Sequence, residues 1–130
     1  MLTDPTKIYR DTRATSSVAC ASPHQLIEIL LDACLEKLAE SKGAMLRGEV
    51  RMKAESLKRA IDIIVNLQAS LDFEQGGSIA VQLDDLYTFC TNRLALANAQ
   101  NDASKLDEVY RVIAEIRSGW SELKGAALDG

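Results

Sequence analysis

This chain holds a single histidine, no two cysteines at CxxC spacing, and aromatic residues at only 5% of its 130 positions. Each shortage closes off a class of function. A zinc site or a general base needs several converging groups, and His24 stands alone beside a helix cap, so it is expected to be a solvent-facing turn residue. The patterns GxGxxG, GxxxxGK[ST], GxSxG and HExxH do not occur, nor do the Glu-x-x-His pairs that a di-iron site in a helical bundle requires. The sequence therefore supplies no catalytic, cofactor-binding or metal-ligating set. Basic residues are also in deficit, 15 Lys and Arg against 19 Asp and Glu for a net charge of -4, which makes nucleic acid a poor partner because affinity for phosphates rests on cations. No long apolar run exists. The richest stretch, Leu26 to Leu38, is interrupted by Glu28, Asp32, Glu36 and Lys37, and Asp4, Pro5 and Arg10 stand where a secretory signal needs an apolar segment. A cytosolic protein without membrane insertion is expected, and Cys34 and Cys90 read as reduced, buried thiols, with Cys20 in a polar arm.

What is present is aliphatic. Apolar residues make up 47% of the chain, so with few aromatics the core must come from Leu, Ile, Val and Ala, a mix that favours helices. At this length one domain buries roughly two-thirds of its unfolded surface without disulfides or metals. Three segments follow from the patterning: a polar arm over residues 1–21 whose one apolar handle is Ile8-Tyr9, a helical bundle over 22–124, and a frayed tail over 125–130. The arm is too polar to fold alone and is expected to be mobile or loosely docked.

The bundle's first helix has a clear start. Ser22 is placed to be the N-cap, Pro23 sits at the first helical position where its missing N–H costs nothing, and Gln25 completes a capping box. Ile27, Leu31, Cys34 and Leu38 form one stripe and Leu26, Leu30 and Ala33 a second, an arc wide enough for two neighbours, and the helix should fade near Leu46. A second helix carries Leu57, Ile61, Ile64 and Leu71, with Ala60, Ile63 and Leu67 beside them. The Gly76-Gly77 pair reads as the turn that reverses the chain into a third helix bearing Ile79, Leu83, Leu86, Cys90, Leu94 and Ala97. This one stops at Gln100-Asn101-Asp102, where Asp102 or Ser104 caps a fourth with Leu106, Val109, Ile113, Ile116, Trp120 and Leu123. Short connections force sequence neighbours to run antiparallel, so the fold class is all-α, an up-down-up-down four-helix bundle. The stripes also put Asp84-Asp85, Asp107-Glu108 and Glu36/Glu40 outside, and leave an apolar surplus that either thickens the core around Met45, Met52 and Trp120 or forms a groove.

One ordered set of residues is more specific than any of this. Ile8-Tyr9, Ala21-Ser22-Pro23, Leu26-Ile27, Leu67, the block Leu71-Asp72-Phe73-Glu74-Gln75-Gly76-Gly77, Leu86-Tyr87, and the run to Trp120 resemble the flagellin-specific export chaperones, the FliS family, over nearly the whole chain. Leu31 and Ala33 depart from it, standing where members commonly carry tyrosine and glycine. The resemblance implies an antiparallel helical bundle that binds the disordered C-terminal segment of flagellin in apolar grooves, prevents premature polymerisation and keeps the client competent for type III export. On this reading the flagellin-binding residues are Ile8, Tyr9, Leu26, Leu30, Leu57, Ile61, Ile64, Leu86, Tyr87 and Leu94. The resemblance also implies that the aliphatic-Tyr pair of the arm switches between free and loaded forms and docks to the export gate, and exposed apolar surface admits a homodimer of the unloaded chain. A different class remains open: a helical scaffold or regulatory module that sequesters another amphipathic helix, for example an anti-sigma factor.

Overall fold

The computed structural model describes residues 21–122, and the arm residues Ile8, Tyr9 and Cys20 and the tail from 123 lie outside them. Four helices, α1 Pro23–Arg47, α2 Val50–Ala69, α3 Phe73–Gln100 and α4 Ala103–Glu122, form the bundle. Local chemistry fixes their ends. The Ser22 hydroxyl accepts from the Gln25 amide at 3.1 Å while the Gln25 side chain accepts from the Ser22 amide at 2.9 Å, which is the capping box. At the other end Gly48 takes the left-handed conformation, φ 73°, so that the Glu49 amide reaches back to the Ala44 carbonyl at 2.9 Å and satisfies α1's last turn. Asn101 performs the same reversal after α3 with φ 53°. Asp102 then caps α4 by accepting from Ser104 and Lys105, bonds that pull its carboxyl down to about 2. Glu49 leaves α2 without a side-chain cap because its carboxylate is turned to Arg47 at 2.9 Å.

The long-range bonds give the topology directly. His24 meets Trp120, Asp32 meets Arg117 and Lys42 meets Asp107, so α1 and α4 run antiparallel. Ser41 meets Ser56, Lys53 meets Asn101, Gln68 meets Asp84, and Arg93 meets Glu108, which sets each remaining neighbour antiparallel as well. Each helix thus touches two others around a central core. Leu31, Leu38, Ile63, Ile64, Leu67, Leu94, Leu106 and Ile113 fill that core and are essentially inaccessible. Burial of these aliphatics, each contributing about 1.5–3 kcal/mol, is what holds the bundle together.

Three expectations are corrected. The α2–α3 reversal is made by Ser70-Leu71-Asp72, not by Gly76-Gly77: Asp72 accepts from the Glu74 and Gln75 amides at 3.0 and 3.1 Å and starts α3 early. Gly77, at φ 52° and ψ -126°, instead kinks α3 after its first turn, in a conformation open only to glycine. Secondly, α3 is rotated from the expected stripe. The buried positions are Ala80, Tyr87, Cys90, Leu94 and Ala97, with Leu83 half-buried, at successive spacings of three and four, while Ile79 and Leu86 are exposed. Thirdly, Met45 is buried as a core plug but Met52 is 47% exposed.

Candidate functional site

The bundle end that carries the start of α1 and the end of α4 is open. A cleft of about 570 Å³ lies there, with Leu26 and Leu30 from α1, Leu67 from α2, Leu71 from the α2–α3 connection, and Ile79, Leu83 and Tyr87 from α3. Its lining also carries polar side chains, the buried His24 and Asn66 and, beside them, Ser70, Asp72 and Gln75.

One wall of the cleft is a side-chain clamp. The sequence pattern suggests a solvent-facing His24, yet the residue is 2% exposed. Its ring stacks on Trp120 with centroids 4.9 Å apart and planes inclined by 14°. Nε2 lies 2.8 Å from the Trp120 carbonyl and must carry the hydrogen, because a carbonyl oxygen only accepts; Trp120 Nε1 donates in return to the His24 carbonyl at 3.0 Å. Nδ1 is buried without a hydrogen-bond partner, 3.8 Å from Glu28 Oε2. Arg117 extends the contact, 3.6 Å from the same Glu28 oxygen and 2.8 Å from Asp32. These partners are 96 residues apart, so nothing in the local sequence around His24 announces them.

A second apolar feature runs along α3. Leu86, Phe89 and Leu96 are 38–40% exposed and, with Arg93, repeat at spacings of three and four on a face of their own, parallel to the buried stripe. Arg93 pairs with Glu108 of α4 at 2.8 Å and lies 5.6 Å over the Phe89 ring, which places this face along the α3–α4 seam. Gln68, bonded to Asp84 and Thr88, marks the opposite, α2-facing flank. Ile79 lines the cleft and leads from it toward the stripe.

The residues expected to bind a client therefore separate. Leu26, Leu30 and Tyr87 come together at the cleft, the last two as its buried floor. Leu86 is on the exposed stripe and Ile61 is half-buried against the core. Leu57, Ile64 and Leu94 are at most 2% exposed and pack in the core; with two neighbours per helix, the inner half of a wide stripe faces other helices. Phe89 and Leu96 were not expected, although α3 carries a second complete three-and-four spacing that points to them. Burial also sets the titration of the interior. Desolvation pushes the Cys90 thiol up to about 12 and raises Cys34 and the Tyr87 hydroxyl further, so these groups stay neutral. Both thiols are free and buried. Among the described residues no group of three or more His, Cys, Asp or Glu is arranged to hold a metal ion.

Comparison with known proteins bears on what such a surface serves. Residues 5–127 match the family model described as "Flagellar protein FliS". The chain is 39% identical over 115 residues to a protein of Vibrio cholerae named flagellar secretion chaperone FliS, covering 88% of this chain and 85% of the relative. It is 42% identical over 114 residues to flagellar secretion chaperone FliSB of Pseudomonas aeruginosa, covering 88% and 90%. A third relative, flagellar secretion chaperone FliS of Salmonella typhimurium, is 40% identical over 122 residues, 93% of this chain and 90% of that one.

Proposed function

The chain belongs to the FliS family of flagellar secretion chaperones, and from that premise we propose that it is a non-enzymatic, cytosolic chaperone whose client is the C-terminal segment of flagellin. The observation that supports this most is the pairing of an apolar end cleft with the exposed Leu86-Phe89-Leu96 stripe. A disordered segment that folds on binding lays helical turns and extended stretches into such grooves, using anchors three and four residues apart. The ordering cost of the client keeps affinity moderate, and a cargo that must be handed on for export needs that. Covering the segment also shields apolar surface through which flagellin would otherwise self-associate.

In this reading Leu26, Leu30 and Tyr87 shape the cleft and Leu86 contacts the client, with Phe89 and Leu96 added to the set. Ile8 and Tyr9 cover part of the same apolar surface in the unloaded chain, and the export gate is the destination. Co-purification tests the reading: full-length flagellin should be retained, whereas flagellin lacking its last ~40 residues, about the length needed to wrap a surface of coupled-folding size, should not. A chain without residues 1–14 should bind at least as tightly, since a covering segment lowers apparent affinity by the fraction of time it occupies the groove. Equal retention of the truncated flagellin would remove the C-terminal segment as client.

A further inference from the structure

The clamp that walls the cleft contains a mismatch. With its hydrogen fixed on Nε2 by the Trp120 carbonyl at 2.8 Å, the neutral His24 ring turns a bare Nδ1 lone pair toward Glu28 Oε2 at 3.8 Å. Two acceptors therefore face each other, one of them buried without a hydrogen-bond partner. Charged groups surround the ring from three elements. On α1 itself Glu28 and Asp32 follow one and two helical turns later, and from α4 Arg117 reaches Glu28 at 3.6 Å and Asp32 at 2.8 Å. Across the cleft the α2–α3 connection brings Asp72, engaged by the Glu74 and Gln75 amides. Helices α2 and α3 line the cleft with neutral polar groups only, Asn66, Gln75 and a Tyr87 hydroxyl that burial keeps protonated. While the ring is neutral, the cluster of His24, Glu28, Asp32 and Arg117 holds one cation against two anions.

We propose that His24 is a proton-driven latch on the cleft wall: one proton taken up at Nδ1 draws Glu28 onto the ring and fixes Trp120 in place. The proton comes from water, and Nδ1 changes from an acceptor without a partner into a donor aimed at a carboxylate. The facing pair becomes an ion pair, and the Nε2 bond to the Trp120 carbonyl becomes charge-assisted. An imidazolium centred 4.9 Å from the indole also gains attraction to its π face, within the reach of about 6 Å for such contacts. Arg117 can release Glu28 because its shorter contact, to Asp32, remains, and the cluster then balances at two cations and two anions. Desolvation of the cation opposes the change, as does the amino-terminal dipole of α1, and the carboxyl end of α4 beside Trp120 offsets the dipole. Imidazole is the side chain that ordinarily changes charge between about pH 5 and 8, so the latch turns near neutrality. Its use as a control on client binding rests on the cleft being the flagellin site; the latch itself is measured without flagellin.

The chain has one histidine and one tryptophan, so each reports on the other. In the full chain, Trp120 emission should fall in a single one-proton step as pH is lowered from about 8 to about 5, because an imidazolium stacked on an indole quenches it. Quenching by acrylamide should weaken over the same range as the indole is pinned, with helicity by circular dichroism unchanged. His24→Gln keeps a side-chain N–H for the Trp120 carbonyl but takes up no proton, and should lose both changes. Glu28→Gln leaves the ring and its stacking intact at a partly exposed position, and should move the step about one pH unit toward acid. This second variant decides the matter if His24→Gln fails to fold. A parent chain without the step, a step that survives in folded His24→Gln, or one that Glu28→Gln leaves in place overturns the latch. So does acrylamide quenching that strengthens in acid, since the proton would then loosen the wall. A flagellin peptide that binds at no pH would sink the client reading and leave the emission step standing, so the two failures are told apart.

Discussion

Leu86 and Tyr87 are adjacent in sequence and opposite in consequence, which makes them the sharpest probe of the binding surface. Tyr87 is 2% exposed, so Tyr87→Ala removes a buried aromatic ring next to the cleft and should cost about 3–5 kcal/mol, as large-to-small core substitutions do. Leu86 is 38% exposed and so keeps roughly three-fifths of its burial; losing that share of a full value of about 1.5–3 kcal/mol, with a few tenths for the poorer helix propensity of aspartate, gives about 1.5–2.5 kcal/mol for Leu86→Asp. A domain with a stability of about 5–15 kcal/mol survives that loss. Binding should respond in the reverse order of severity. An unpaired carboxylate under an apolar client segment costs at least about 2–3 kcal/mol, or about 100-fold in affinity. Guanidinium unfolding followed by circular dichroism gives the stabilities, and titration calorimetry with a flagellin C-terminal peptide gives the affinities. If Leu86→Asp unfolds the bundle as readily as Tyr87→Ala, the register of α3 is wrong. If it stays folded and binds the peptide like the parent, the α3 stripe is not the client's surface.

Two further outcomes follow from the backbone and the core. Gly77→Ala should destabilise by about 1–3 kcal/mol because φ 52° with ψ -126° is closed to L side chains, whereas Gly119→Ala, in α4 with nothing within 4 Å of an added Cβ, should gain up to about 1 kcal/mol; thermal melts of the two variants check the pair, and a neutral Gly77→Ala would refute the kink. The buried thiols and Tyr87 should make the fold sensitive to base: unfolded cysteine ionises near its ordinary 9.0 while folded Cys90 holds its proton to about 12, so between those values the native state binds more protons and stability falls as pH rises, by up to about 1.4 kcal/mol per pH unit for each such group. Denaturant titrations at pH 8 and pH 10 measure this, and Cys90→Ala should flatten the dependence.

Much of the architecture was legible because its signals are local. Ser22-Pro23-His24-Gln25, Gly48 and Asn101-Asp102 each fix a helix end through bonds spanning five residues or fewer, and a short connection leaves only an antiparallel neighbour. The register of α3 was not legible by hydrophobicity alone. Leucine outranks tyrosine on any apolar scale, yet counting the spacing 80, 83, 87, 90, 94, 97 selects Tyr87 for the interior. Distinguishing groove from core was harder still: Leu57, Ile64 and Leu94 carry the same chemistry as Leu86 and Leu96, and only the position of a neighbouring helix decides which are covered. His24 shows the same limit for a polar group, since its burial depends on a tryptophan at the far end of the chain.

The clamp between His24 and Trp120 joins the first described helical turn to the last. In the bundle α4 covers one flank of α1. A chain stopped before Arg117 would lose both the stacked pair and the Arg117 contacts to Glu28 and Asp32, leaving the cleft without one wall. The same geometry brings residues 21 and 122 out at one end, beside the cleft, while the 46–53 tip faces the other way. A circular permutant opened at Gly48-Glu49 would put the new chain ends at the 46–53 tip, away from the cleft.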